Sequence, residues 1–94
     1  IKRLSYLREV FHLYHVNVKK RDQLQQYLIS KSVDAKVHYP IPIHLQSAAK
    51  YLKYKRGDFP TAEEIANTTL SLPVHEFIRE KDIKYVVNLV NKFY

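Results

Sequence analysis

The chain has 94 residues, a formal net charge of +7 and no cysteine, so disulfides, thiolate metal sites and a cysteine nucleophile are excluded. Its length predicts one domain over residues 1–94, and its hydrophobic content of 46% is that of a folded protein. No apolar run approaches the ~20 residues of a membrane span and no signal-peptide core is present, so we expect a soluble, cytoplasmic protein.

Residues 1–10 carry the weakest pattern. Ile1, Leu4 and Leu7 have the spacing of a helical stripe, but the stretch also fits the truncated lead-in of a domain. Because the chain begins with isoleucine and contains no methionine, we expect it to be a piece of a longer protein.

Residues 11–18 alternate as a β-strand does. One predicted face carries His12, Tyr14, Val16 and Val18, and the other carries Leu13, His15 and Asn17. A helix is predicted next, starting near Asp22 and ending near Ser30 or Lys31, with an apolar stripe of Leu24, Tyr27 and Leu28. Residues 33–37 alternate again and predict a second strand, which completes a strand–helix–strand unit.

Four further elements are predicted. A short helix at residues 45–52 turns Ala48, Ala49 and Leu52 inward, and a second helix is capped by Asp58 and buries Ala62, Ile65, Ala66 and Thr69. Residues 70–72 form a third strand or extended segment before Pro73. The last helix runs to Phe93 with Ile83, Val86, Val87 and Val90 as its stripe. These elements predict an α+β fold with two layers.

Residues 38–46 interrupt these patterns with Pro40 and Pro42 two positions apart. Prolines at this spacing exclude a helix and push the preceding residues into extended geometry, so a stiff corner is predicted. Its imidazoles and phenol favour a recognition site, because fixed backbone presents side chains at defined positions. A plain turn whose histidines happen to be polar fits equally well.

Other chemistries have little support in the sequence. Five histidines occur, but none forms an H-E-x-x-H motif, and one glycine cannot build a phosphate-binding loop. The run at residues 50–56 mixes lysine, arginine and tyrosine, which fits either a nucleic-acid-binding strip or the cationic end of a helix. A stand-alone basic module that binds nucleic acid is therefore the alternative function.

Five short motifs occur in the chain. Residues 38–46 read H-Y-P-x-P-x-H-x-Q, and residues 12–14 read H-L-Y. Residues 21–28 read R-D-x-L-x-x-x-L, residues 57–63 read G-D-F-P-x-A-E, and residues 70–73 read L-S-L-P. In this order the motifs resemble the C-terminal part of the DegT–DnrJ–StrS family of pyridoxal-phosphate-dependent nucleotide-sugar aminotransferases, of fold type I. The resemblance implies a small, mostly antiparallel three-stranded sheet packed against three to four helices.

The resemblance also implies a function. The parent enzyme would transfer an amino group, commonly from glutamate, to a keto sugar nucleotide in amino-sugar or cell-surface polysaccharide biosynthesis, and would form a homodimer. The lysine that holds pyridoxal phosphate would lie in a large domain of the same chain, so we expect no catalytic, cofactor or metal residue here. The expected task of this domain is to wall the sugar-nucleotide pocket with His38, Tyr39 and His44, and with His12 as a secondary candidate.

Three positions depart from the family pattern. Ser32 replaces the usual glycine after the first helix, so that helix must end without the residue that adopts positive φ at low cost. Ile78 replaces a capping threonine, so the last helix needs another cap. His15 occupies a normally apolar position. A family member that has lost catalysis and acts as a regulator would carry the same motifs.

Overall fold

The computed structural model describes residues 4–94. Two β-strands, β1 (Tyr14–Asn17) and β2 (Thr69–Leu72), accompany three α-helices, α1 (Arg21–Ser30), α2 (Pro60–Thr68) and α3 (Glu80–Phe93). Two short 3₁₀-helices, Ile43–Leu45 and Ser47–Leu52, follow the proline corner. The α+β class predicted from the sequence is confirmed. Ile1 lies outside the described residues, and Leu4 and Leu7 lie in a turn closed by a backbone hydrogen bond between them.

The sheet of β1 and β2 is antiparallel. Tyr14 pairs with Leu72, His15 with Ser71, and Asn17 with Thr69. On the other side of β2, Lys36 forms an isolated antiparallel bridge with Ser71 through two backbone hydrogen bonds of 3.0 and 2.7 Å. The strand β2 is therefore central, with β1 on one side and the segment leading to the proline corner on the other.

The prediction of a full strand at residues 33–37 is wrong, and the three-stranded sheet is not confirmed, because the sheet within residues 4–94 has two strands and one bridge. The N–H of Val33 donates to Leu28 O at the end of α1, and the N–H of Ala35 donates to Val33 O. The carbonyl of Ala35 accepts from the Gln25 side chain at 3.0 Å. Because these backbone groups already have local partners, only Lys36 pairs with β2. The alternation itself is real, since Val33 and Ala35 are both buried.

The core lies between α1, α3 and one face of the sheet. Its buried members are Leu24, Leu28, Val33, Ala35, Leu70 and Leu89. Val16, Val86, Val90 and Phe93 pack against this cluster from its edges. Each leucine buried in this way stabilises the fold by about 1.5–3 kcal/mol relative to an exposed one.

Ser32 follows the end of α1, at the position where the family pattern led us to expect glycine. Ser32 itself adopts the left-handed conformation, with φ of 61°. Its N–H donates to Ile29 O, and the N–H of Val33 donates to Leu28 O, both at 2.9 Å. This pair of bonds is a Schellman motif, which closes the last turn while Ser32 bears the steric cost of its β-carbon.

The sequence also makes predictions about the N-terminal caps of α2 and α3, and both can be compared with the structure. Asp58 does not cap α2, because Oδ2 of Asp58 accepts from the N–H of Lys55 at 2.8 Å and Phe59 precedes the helix instead. The cap that Ile78 cannot supply to α3 comes from Asp82, whose Oδ2 accepts from the N–H of Arg79 at 3.3 Å. Across residues 4–94, no helix has both the length and the apolar character needed to cross a membrane.

The predicted inward faces are only partly buried. Ala49 and Ala66 are buried, but Ala48, Leu52, Ala62 and Ile65 are exposed, as are Ile83 and Val87 on α3. The segment at residues 45–52 is 3₁₀ rather than α, because Gln46 is extended with ψ of 150° and divides it. Leu52, Ala62 and Ile65 contribute to one open groove beside the proline corner.

Candidate functional site at the proline corner

The proline corner leads away from the sheet directly after the bridge between Lys36 and Ser71. Pro42 has φ of −59° and ψ of 147°, which is extended backbone of the polyproline type. The side chain of Gln46 donates to Ile41 O at 3.2 Å and so closes the corner on itself. The corner is therefore held in one shape from both of its ends.

His38 lies at the start of the corner and is half-buried. Its Nδ1 lies 2.8 Å from Oγ of Ser71, and Nδ1 of His15 lies 3.0 Å from the same oxygen. The two imidazole rings meet edge to face with 6.2 Å between centroids, and Tyr39 meets His38 in the same way at 5.6 Å. We call His15, Ser71, His38 and Tyr39 the imidazole strip. It lies on the face of the sheet opposite the core.

His44 lies on the other limb of the corner and is buried, with 9% of its surface exposed. Its Nε2–H donates to Oε1 of Glu63 in the first turn of α2, at 3.1 Å. The same oxygen accepts from the N–H of Gly57 at 2.6 Å. The ring of His44 also packs on Phe59, with 4.8 Å between centroids. Glu63 therefore ties the corner, the loop at Gly57 and α2 together.

The electrostatics of this junction follow from those contacts. The N–H of Gly57 stabilises the carboxylate and lowers the pKa of Glu63 below its usual value, with further contributions from His44 and Arg56. Arg56 lies 3.9 Å from Oε2 of Glu63 and is exposed. The carboxylate therefore stays ionised to a lower pH than an unperturbed glutamate does.

An open groove of about 510 Å³ runs between the corner and α2. Its lining includes Tyr39, Ile41 and His44 from the corner, and Tyr54 and Phe59 from the loop before α2. Tyr54 and Phe59 stack edge to face with 4.9 Å between centroids. An apolar floor with a few polar atoms at its margin is the usual composition of a site for a small organic ligand.

The four residues predicted as the substrate wall fall in different places. Tyr39 is 71% exposed and lines the groove, which His44 also lines from a buried position. His38 is adjacent to Tyr39 but faces the sheet. His12 is exposed before β1 and is not among the residues that line the groove.

Sequence reasoning missed three residues that support the corner: His15, Ser71 and Glu63. Period-two alternation did place His15 on the face opposite Val16. Only the strand register adds that this face meets Ser71 and His38.

Two ligand classes can be compared with these residues. Pyridoxal phosphate needs a lysine amine and donors for its phosphate. Neither lysine nor arginine lines the groove in the part of the chain that the structure covers, so these residues do not fit the cofactor by themselves. Within residues 4–94, no cluster of three histidine or carboxylate side chains is arranged to hold a metal ion.

Comparisons with known proteins agree on one family. The model of the DegT/DnrJ/EryC1/StrS aminotransferase family matches residues 2–91. A pleiotropic regulatory protein of Geobacillus stearothermophilus is 41% identical over 85 residues, which cover 90% of this chain and 23% of that protein. A dTDP-3-amino-3,6-dideoxy-alpha-D-galactopyranose transaminase of Aneurinibacillus thermoaerophilus is 36% identical over 84 residues, covering 89% and 23%.

A solved structure supports the same relationship. The crystal structure of Streptomyces venezuelae DesV, in complex with a ketimine intermediate, has a TM-score of 0.85 and 31% identity over 92% of this chain and 23% of its own. The chain thus spans about 23% of the length of these relatives. Because the family model matches residues 2–91, the chain belongs to the DegT/DnrJ/EryC1/StrS aminotransferase family.

Proposed function

We propose that this chain forms the substrate-wall domain of a pyridoxal-phosphate-dependent enzyme that transfers an amino group to a keto sugar nucleotide. The names of the relatives support the substrate class, because two of them are dTDP-amino-sugar transaminases. The observation that carries the assignment to this region is the groove beside the proline corner, with Tyr39 and His44 in its wall.

The groove suits a sugar on physical grounds. Sugar rings offer apolar C–H faces, which pack on aromatic rings such as those of Tyr54 and Phe59. They also carry hydroxyls that need hydrogen-bonding partners at fixed positions. Tyr39 and Gln46 bring a hydroxyl and an amide to this apolar floor, and His38 lies beside Tyr39.

The chemistry of amino transfer would come from pyridoxal phosphate, held by a large domain of the same chain that brings the lysine. The part played by the residues described here is binding, orientation and exclusion of water. The proline corner fixes Tyr39 and His44 before the ligand arrives, which lowers the entropy cost of binding. We further propose glutamate as the amino donor and a homodimer as the working assembly.

The test uses the full-length protein, assayed with a dTDP-linked keto sugar and glutamate. Tyr39→Phe removes one hydroxyl that lines the groove and is expected to raise the KM for the sugar nucleotide about 5- to 20-fold, which is the range for one lost hydrogen bond to a ligand. His44→Ala is expected to raise the same KM. The absorbance of bound cofactor should stay unchanged in both.

A matched control is Tyr51→Phe, because Tyr51 is 77% exposed and does not line the groove. It should leave the KM unchanged. Wild-type kinetics in Tyr39→Phe and His44→Ala would remove the corner from the sugar site. A full-length protein that transfers no amino group to any keto sugar nucleotide would contradict the proposed activity itself.

A regulatory role is the second candidate, because the 41% identical relative is named as a pleiotropic regulatory protein. The same groove would then bind a sugar nucleotide as a signal rather than as a substrate. Calorimetry would detect tight binding without turnover in this case. Turnover with glutamate would exclude a purely regulatory role.

A further inference from the structure

Two imidazoles of the imidazole strip share a single hydroxyl. Oγ of Ser71 lies 2.8 Å from Nδ1 of His38 and 3.0 Å from Nδ1 of His15. Ser71 is buried, with 4% of its surface exposed. Its backbone N–H and carbonyl are already paired with Lys36, so the hydroxyl alone serves the two rings.

A hydroxyl has one proton to donate and lone pairs to accept with. It can therefore donate to one of the two Nδ1 atoms but not to both. If neither ring carried a proton on Nδ1, one imidazole lone pair would face the oxygen lone pairs at hydrogen-bond distance. At least one of the two neutral rings must therefore be protonated at Nδ1. The hydroxyl oxygen has two lone pairs, so it can accept from both rings protonated at Nδ1, or accept from one ring and donate to the other.

The distances favour the second arrangement, with one ring protonated at Nδ1 and the other at Nε2. An O–H donor makes shorter bonds, near 2.7–2.8 Å, than an N–H donor, near 2.9–3.0 Å. The 2.8 Å contact fits Ser71 O–H donating to Nδ1 of His38, and the 3.0 Å contact fits Nδ1–H of His15 donating to Ser71. Oγ1 of Thr69, 3.5 Å from Nδ1 of His15, offers that N–H a second, weaker acceptor.

We infer that His15 acts through Ser71 as a positioning residue, which holds His38 in the tautomer that presents Nε2–H as a hydrogen-bond donor. The ligand group that fits this donor is an oxygen acceptor, such as a hydroxyl or diphosphate oxygen of a sugar nucleotide. This ligand assignment rests on the proposed function, whereas the tautomer rests on the geometry alone.

The tautomer is measured directly. Nitrogen-15 chemical shifts of the imidazoles, measured in the 94-residue chain at about pH 9, should assign His38 as protonated at Nε2 and His15 as protonated at Nδ1. In His15→Leu the hydroxyl of Ser71 loses its donor, and His38 should become a mixture of both tautomers. His15→Asn supplies an amide N–H and should restore the Nε2–H form in part. Leucine at this exposed position disturbs no core contact.

The functional readout is made in the full-length protein. His15→Leu is expected to raise the KM for the sugar nucleotide about 3- to 10-fold with kcat unchanged, as loss of a ground-state hydrogen bond does. His15→Asn should recover part of that loss. The control is Asn17→Leu, on the same face of β1 but paired with Thr69, which should alter neither the shifts of His38 nor the KM.

Two results would overturn the inference. One is His38 protonated at Nδ1 in the unmodified chain, or a tautomer that is unchanged in His15→Leu. The other is an altered tautomer with an unchanged KM, because His15 would then have no positioning role. Failure of the proposed function has a different signature, namely the expected tautomers in a protein that neither aminates nor binds a sugar nucleotide.

Discussion

The imidazole of His44 donates to the carboxylate of Glu63 across 3.1 Å and so joins the proline corner to the first turn of α2. The partners lie 19 positions apart in the chain, and both side chains are largely shielded from solvent. The same carboxylate accepts a hydrogen bond from the N–H of Gly57, so removing the carboxylate would release both the proline corner and the loop at Gly57. Glu63 therefore anchors both the proline corner and the loop at Gly57 to α2.

The pH dependence of stability follows from Glu63. Its pKa is lowered in the folded protein, chiefly by the N–H of Gly57 and then by His44, so its stabilising effect is complete above the unfolded pKa of about 4.3. That effect is lost as the pH falls through the lower folded value. Urea unfolding of Glu63→Gln should give a lower free energy of unfolding than the parent at about pH 7, and the gap should narrow below about pH 4.

The control for this experiment is Glu64→Gln, which changes the adjacent exposed carboxylate of the same helix. It should follow the parent at every pH. If the difference in free energy of unfolding between Glu63→Gln and the parent stayed constant down to strongly acid pH, ionisation of Glu63 would not be coupled to folding.

Arg21 joins α1 to the junction of α2 and β2, and Arg21→Lys tests that contact. Its Nη1 donates to Ala66 O at 3.1 Å and to Thr69 O at 3.2 Å, and its surface is 8% exposed. The side chain of lysine is one atom shorter than the path to Nη1, so we expect it to leave at least one of these carbonyls without a partner, which should cost about 1–3 kcal/mol. Chemical unfolding should report the loss, with little change for Arg8→Lys at an exposed position. Equal losses in both variants would contradict the anchoring role.

Ser32→Gly is expected to stabilise the chain. Ser32 has φ of 61° at the end of α1, where glycine lacks the clash of a β-carbon. The gain should be about 0.5–1 kcal/mol, or roughly 2–8 °C in melting temperature for a domain of this size. Ser30→Gly is the matched control, because Ser30 lies within the last turn of α1 and glycine there should destabilise. A lower melting temperature for Ser32→Gly would show that the serine makes a compensating interaction.

The cofactor also gives a prediction for the 94-residue chain. Since no lysine among residues 4–94 lines the groove, pyridoxal phosphate followed by borohydride should label no single lysine stoichiometrically. Mass spectrometry of tryptic peptides should find only weak labelling spread over several exposed lysines. One lysine labelled in full at equimolar cofactor would require a cofactor site within this chain and would revise the division of labour proposed above.

Local pattern was a good guide wherever one element could be judged alone. The alternation around Val16, the stripe of Leu24 and Leu28 and the long stripe ending at Phe93 each matched a real element. The strand expected at residues 33–37 failed, although Val33 and Ala35 are buried as its alternation required. Alternation reports which side chains face the core, and it does not report which backbone groups remain free to pair.

The groove illustrates a second limit. Ile65 and Leu52 occur at helical spacings that predict burial, yet 49% and 46% of their surfaces are exposed. An apolar stripe predicts that a helix face is buried when another segment packs on it. It does not state which segment covers it, and here these residues contribute instead to the wall beside Tyr39 and His44.

By itself the sequence determined the α+β class, three helices, both strands and the stiff proline corner, because periodicity, capping and the ring of proline act over a few neighbouring residues. The tertiary structure decided how distant residues meet: His15 with Ser71 and His38, and His44 with Glu63. Those meetings depend on strand register and helix placement. Strand register and helix placement are set by the free energy of the whole core, so they cannot be read from the residue type at any single position.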